Sequence, residues 1–176
     1  MTVVRIGPFD LAARVDEAVA VEAAAFGRAV DRNRAGGYLR HSTYPGFAVL
    51  GAFDPDDRLV GFGYGHTDGP GQWWHEQIAA SMRRAGHGAW LDGAWVLVEL
   101  HVLPEHQRRG TGTELLLALL APRGEARALL STDDAETAAR RLYRRVGFTD
   151  LLTGFRFPST RRPYAVMGAL LPLPSR

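Results

Sequence analysis

The chain has 176 residues, 46% of them hydrophobic, which suits a single domain, read as residues 1–176, with a real core. Its net charge of +2 gives no bulk-charge support for a nucleic-acid role, and the lack of cysteine removes disulfides, thiolate nucleophiles and thiolate metal ligands. Asp10, Asp16, Glu17 and Glu22 interrupt every apolar stretch near the start, and no run nears the roughly 18 apolar residues of a membrane span, so neither a signal peptide nor a membrane segment is expected, and a reducing cytoplasm is compatible.

Val3–Ile6 reads as a short first strand, turned by Gly7-Pro8. Leu11, Val15, Ala18 and Val19 form an apolar stripe that predicts a helix from Phe9 to Phe26, with Glu22 at the same spacing. Gly27–Gly37 is polar and arginine-rich; Asp31 is a candidate N-cap for a second short helix carrying Tyr38 and Leu39. Phe47–Phe53 and Leu59–His66 read as strands joined by a turn at Asp54-Pro55-Asp56-Asp57. Gly61, Gly63 and Gly65 alternate and so share one strand face. Either a ligand approaches that face closely, or a helix packs tightly on a thin sheet.

Asp68–Gly93 is broken at both ends by glycine and contains a predicted helix, Trp73–Arg84, with Trp74, Ile78 and Met82 at four-residue spacing. Two adjacent tryptophans cannot both face one core from a helix, which favours a lid or substrate wall over a helix that only closes a gap. Val96–Val102 is a β-branched, apolar strand; Pro104 ends its ladder, and a turn over Gln107–Gly112 runs into the leucine-rich helix Leu115–Leu120, ended by Pro122. Ala126–Ser131 is the next strand. Thr132 or Asp133 would cap a helix reaching Val146, with Ala135, Ala138, Ala139, Leu142, Tyr143 and Val146 on its apolar side and Arg140, Arg141, Arg144 and Arg145 opposite. Gly147 is the expected left-handed stop, with Phe148 as its hydrophobic contact. Asp150–Phe155 and Tyr164–Leu171 follow as strands, linked through Phe157–Pro163. The two strands around the leucine helix require a right-handed parallel crossover, while the other connections read as hairpins or short helices, so a mixed α/β sheet results.

Strand, glycine turn and helix form an anion site, because the first N–H groups of a helix lack partners and glycine lets the backbone close on a phosphate. Two known phosphate motifs do not fit. The dinucleotide fingerprint needs a glycine where Leu115 stands, and the P-loop needs a lysine, which the chain lacks altogether. Gln107-Arg108-Arg109-Gly110-Thr111-Gly112 after a strand and proline instead resembles motif A of the GCN5-related N-acetyltransferase (GNAT) family. Ala138-Ala139-Arg140-Arg141-Leu142-Tyr143-Arg144-Arg145-Val146-Gly147-Phe148 resembles that family's A-x-x-L-Y-x-x-x-G-F element. The resemblance covers about residues 96–148.

The resemblance implies a GNAT-like mixed, mostly antiparallel sheet around a central parallel β-α-β unit, flanked by helices, and acetyl transfer from acetyl-CoA to a primary amine by direct attack in a ternary complex. It places the pyrophosphate on the backbone of Gln107, Arg108, Arg109, Gly110, Thr111, Gly112 and Thr113, and the pantetheine arm along Leu100, His101 and Val102. It makes Tyr143 the acid that protonates or orients the leaving sulfur; a phenol of ordinary pKa, about 10, suits a thiolate. The same tyrosine also falls on the apolar stripe, as a core residue would.

Glu99 and His101 share one strand face, polar residues in an apolar run, opposite Val98, Leu100 and Val102, which should pack under the leucine helix. Either could accept the amine proton, Glu99 ahead of His101; alternatively both are satisfied by neighbouring elements and water does the work. No metal is expected: His75-Glu76 opens like a zinc helix, but Ala79 stands where the second histidine is required. No G-x-S-x-G elbow occurs. The arginine face of the later helix reads as solvated, with RNA or the CoA 3′-phosphate as the other options, and Glu136 stands where the family usually has Asn. A non-catalytic acyl-CoA-binding or interaction domain is the alternative on the same fold. The acceptor stays unnamed. Walls at Phe26–Tyr44, Trp73–Trp90 and Phe155–Tyr164 argue mildly against polycations. The chain itself, without lysine, offers no side-chain amine, and it would act as a monomer or a homodimer.

Overall fold

The structure is a computed structural model describing residues 4–158 and 160–174, so Val3 of the first predicted strand and Ser159 of the last link lie outside the described residues. Seven strands form a mixed sheet in the order β1-β2-β3-β4-β5-β7-β6, mostly antiparallel, with β4 and β5 the parallel pair. The chain divides into two compact units, residues 1–66 with 97–122, and residues 67–96 with 123–176. Among the described residues, no helix is long and apolar enough to cross a membrane.

The first unit holds β1 (Arg5–Gly7), α1 (Val15–Ala25), α2 (Arg34–His41), β2 (Ala48–Phe53), nearly all of β3 (Leu59–Thr67), most of β4 (Trp95–Val102) and α4 (Thr111–Leu120). Its core joins Leu11, Val19, Tyr38, Phe53, Phe62, Tyr64, Val102 and Leu115. Helix α1 starts later than the apolar stripe predicts. Asp10 Oδ1 accepts the Ala13 N–H at 3.1 Å, and its carbonyl accepts Arg14 N–H, which makes a separate turn that still buries Leu11. Asp31 does not cap α2; it accepts the Asn33 N–H at 3.0 Å in a local turn, and Asn33 stands at the cap position. The β2–β3 hairpin closes at the expected turn, where Asp54 Oδ1 accepts N–H bonds from Asp56 and Arg58.

The glycine face of β3 is resolved by α4. A Cβ on Gly61 would lie 3.2 Å from Val102 Cγ2 and 3.5 Å from Leu115 Cδ1, and one on Gly63 would lie 2.9 Å from Leu119 Cδ1. Tight packing under the leucine helix, one of the two readings left open, fills this space.

The second unit holds α3 (Trp73–Arg84), the start of β4, β5 (Arg127–Asp133), α5 (Ala138–Val146), β6 (Thr149–Phe155) and β7 (Tyr164–Leu170). Trp95 and Val96 pair in parallel with Ala128 and Leu129, while β7 runs antiparallel between β5 and β6. The adjacent tryptophans of α3 separate as geometry demands: Trp73 is exposed and stacks on Phe157, while Trp74 donates its indole N–H to Ser131. Ile78 and Met82 are fully buried.

Two expectations for α5 are corrected. Thr132 and Asp133 belong to β5, and Thr137 caps the helix by accepting the Arg140 N–H at 3.1 Å. The predicted arginine face is also divided. Ala138 and Ala139 are exposed, and Arg140 is buried, paired with Asp134 and, at 3.0 Å, with Asp150. A guanidinium can occupy a buried face when carboxylates meet it there, and helical spacing alone does not report such partners.

Candidate active site

The turn expected from the sequence to hold an anion begins where β4 ends. Leu103 N–H bonds to Val60 O at 2.8 Å, a short 3-10 turn covers Pro104–His106, and Gln107 Nε2 donates to Val102 O at 2.9 Å, tying the loop to the strand. Arg108 (φ 59°) and Gly110 (φ 92°) then take left-handed conformations, turning the backbone into α4 at Thr111. Because Gly110 is the cap residue, it has no side chain to accept the first N–H groups of α4. Arg108 and Arg109 thus precede, and Thr111, Gly112 and Thr113 begin, a helix whose N-terminus has no capping side chain. Leu100 and Val102 turn their side chains toward α4, as their alternation predicts; both meet the glycine face of β3.

The opposite face of β4 carries a part-buried charge layer in which Glu22 is the buried member (within the same unit). Glu99 accepts Arg34 Nη2 on Oε1 at 2.7 Å and His101 Nε2 on Oε2. Arg34 also donates Nε to Glu22 Oε2 at 3.1 Å, the oxygen that accepts the Tyr38 hydroxyl at the same distance, and Arg28 donates to Glu22 Oε1. The His101 ring centroid lies 5.3 Å from that of Phe26 and 5.6 Å from that of Phe62. Beside this layer, His41 Nδ1 is 2.9 Å from the Tyr64 hydroxyl.

Sequence reasoning singled out Glu99 and His101 but not Arg34, which pairs with Glu99, nor Glu22 and Tyr38, which join the network through Arg34 and Glu22. A signal existed: Glu22 is 1% exposed among Ala18, Val19, Val21 and Ala23, a charge on a helix face that is otherwise apolar. Such a group is buried only with partners.

The electrostatics follow from burial and pairing. Burial works against the charge on Arg34, but Glu99 and Glu22 outweigh it and hold the guanidinium above its ordinary pKa. Burial, then Glu99 and Glu22, raises the Tyr38 hydroxyl; burial, then Glu99 and Tyr38, raises that of Tyr64, so both phenols stay protonated. Burial, then His66, lowers His41 to about 4, so it is neutral at pH 7. Ligand-type atoms of Glu22, Glu99 and His101 lie within 4.8 Å of one another, a spacing that could hold a cation, yet the guanidiniums of Arg28 and Arg34 already supply positive charge to both carboxylates.

Tyr143 lies in the second unit, on the buried face of α5, its ring 6.0 Å from that of Phe148. Gly147 (φ 111°) ends the helix, and Phe148 N–H returns to Tyr143 O at 3.0 Å, the stop that the Gly-Phe pair predicts. Glu136 is exposed and paired with Arg144, which also meets Asp150 at 3.1 Å. With Arg140 buried, the arginine face is smaller and more neutralised than its sequence implies.

Comparison with known proteins agrees with this architecture. The model of the acetyltransferase (GNAT) domain matches residues 46–150. The GCN5-like protein acetyltransferase Rv2170 of Mycobacterium tuberculosis (strain ATCC 25618 / H37Rv) is 40% identical over 123 residues, 65% of this chain; the chain spans 60% of that relative's length. Two solved structures share the fold. The ribosomal-protein-S18-alanine N-acetyltransferase from Escherichia coli superposes with a TM-score of 0.69 at 15% identity, over 99% of this chain and 97% of its own. The NatC complex bound to Gag peptide and CoA gives a TM-score of 0.68 at 13% identity, over 96% and 98%. With the domain match spanning more than half of its length, the chain belongs to the GNAT acetyltransferase family.

Proposed function

We propose that the chain is one acyltransferase domain over residues 1–176 that transfers an acetyl group from acetyl-CoA to a primary amine by direct attack in a ternary complex. The observation that carries this reading is the α4 N-terminus, left without a side-chain cap by left-handed Gly110, directly after a strand that carries Glu99 and His101. Backbone N–H groups of residues 107–113 hold the pyrophosphate, and the backbone at Leu100, His101 and Val102 pairs with the pantetheine arm. The Glu99–His101 pair takes a proton from the amine, Tyr143 gives one to the departing sulfur, and no metal takes part. The family supports acetyl-CoA as donor. The description of the Mycobacterium relative as a protein acetyltransferase puts protein amines first in an acceptor screen. A cytoplasmic monomer or homodimer fits the reading.

Two variants test it. Gly110→Asp forces a β-carbon into a left-handed position and puts a carboxylate at the phosphate site, so calorimetry should show acetyl-CoA binding lost in a protein that still folds. Tyr143→Phe should lower kcat by roughly ten- to a thousandfold with acetyl-CoA affinity kept. Normal binding by Gly110→Asp would displace the phosphate site. Acetyl-CoA binding by wild type, with no turnover on any amine or protein acceptor, would favour a binding domain instead.

A further inference from the structure

The Glu99–His101 pair is not an isolated dyad. Glu99 uses one oxygen for Arg34 and the other for His101, so both are already hydrogen-bonded before an amine arrives. An ionised carboxylate only accepts, so the proton in its bond to His101 sits on Nε2. In the neutral imidazole the lone pair is then on Nδ1, and among the described residues no protein group bonds to that nitrogen. Behind Glu99 stands a second carboxylate, Glu22, which is almost fully buried. Two carboxylates in one part-buried layer repel unless a cation lies between them. Arg34 is that cation: its Nε reaches Glu22 and its Nη2 reaches Glu99, a use of the guanidinium fork that a point charge cannot reproduce fully.

We propose that Arg34 is a positioning residue for acetyl transfer: by bridging Glu22 and Glu99 it fixes the Glu99 carboxylate against His101 Nε2 and leaves His101 Nδ1 as the acceptor of the amine proton. This rests on the acetyltransferase reading above. The amine nitrogen bonds to the thioester carbon, and its proton moves to Nδ1, giving an imidazolium paired with Glu99. The carbon–sulfur bond breaks with its electron pair on sulfur, which takes a proton from Tyr143. Solvent carries the His101 proton back to Tyr143, so the amine and acetyl-CoA become amide and CoA thiol. Glu99 thereby acts through His101, reversing the order in which sequence reasoning placed the two.

The test combines a spectroscopic and a kinetic reading on the full chain. In protein labelled with ¹⁵N-histidine, with the His101 signals assigned through His101→Gln, wild type at neutral pH should show the Nε2–H tautomer. Arg34→Gln should shift His101 toward a tautomer mixture, and Arg34→Lys, which keeps the charge, should restore part of the wild-type pattern. In turnover, Arg34→Gln should lose roughly ten- to a hundredfold in kcat with unchanged acetyl-CoA affinity, and Arg34→Lys should recover part of the loss. An Nδ1–H tautomer in wild type would overturn the proposal. So would an unchanged tautomer and kcat in Arg34→Gln, or a kcat loss with no tautomer change. Should Arg34→Gln fail to fold, the wild-type tautomer and the Arg34→Lys comparison decide. The tautomer measurement needs no acetyl-CoA, so a wild type that binds none would sink the acetyltransferase reading while the positioning role is still judged.

Discussion

Gly63 offers a quantitative check on how α4 is seated. A β-carbon there would lie 2.9 Å from Leu119 Cδ1, 3.0 Å from Leu100 Cδ1 and 3.2 Å from the Glu99 carbonyl oxygen. Leu119 is buried, so its methyl can yield only by leaving its rotamer, at about 0.5–1.5 kcal/mol. The Glu99 carbonyl is backbone and must shift by a few tenths of an ångström. Overpacking of this kind costs about 1–3 kcal/mol. The lower chain entropy of alanine in the unfolded state offsets roughly 0.4–1 kcal/mol of that. With the middle of each range, about 2 less about 0.7, Gly63→Ala should therefore destabilise by about 1.3 kcal/mol, a fall in Tm of roughly 3–5 °C for a chain of this size.

Gly36 is the matched control. It lies inside α2, and a β-carbon there meets nothing within 4 Å, so Gly36→Ala should stabilise by roughly 0.5–1 kcal/mol. Urea denaturation of both variants beside wild type, with acetyl-CoA affinity measured in parallel, gives the comparison. If Gly63→Ala proved as stable as wild type, the packing of α4 on β3 would be looser than described and the argument would fail. A weaker acetyl-CoA affinity in Gly63→Ala would indicate that the strain reaches the N-terminal turn of α4.

Two further predictions concern charge. Arg140→Ala takes the buried guanidinium from Asp134, which keeps the Gly154 N–H, and from Asp150, which keeps Arg144, and should cost about 1–3 kcal/mol, reduced from the full buried-pair penalty because both carboxylates keep a partner and some solvent, whereas Arg144→Ala should leave the urea midpoint almost unchanged; equal effects would refute the burial difference. His41, lowered to about 4 by burial and His66, stays neutral when folded, while its unfolded form takes a proton near pH 6.5. The unfolded state then binds more protons between those values, so stability is full above about pH 6.5 and falls as pH drops toward 4, by on the order of 2–3 kcal/mol. Urea midpoints across this range should show that slope in wild type and a shallower one in His41→Gln; parallel slopes would remove His41 as its source.

The elements that the sequence specified by itself are those whose signals are local. The β2–β3 hairpin, the limits of α3, the passage from β4 through left-handed Gly110 into α4, and the Gly147 stop of α5 each rest on turn chemistry, capping or periodicity within a few residues. The placement of Glu99 and His101 on one face of β4 was legible for the same reason. Periodicity reports which residues share a face, however, and not what meets that face. Only the tertiary structure decided that leucines of α4, rather than a ligand, fill the space over Gly61 and Gly63, and that Arg140 turns inward to two aspartates. It alone joined Glu22 on α1 and Arg34 on α2 to Glu99 on β4, partners far apart in the chain. A buried charge must find an opposite charge, and that requirement holds across space without any fixed separation in sequence.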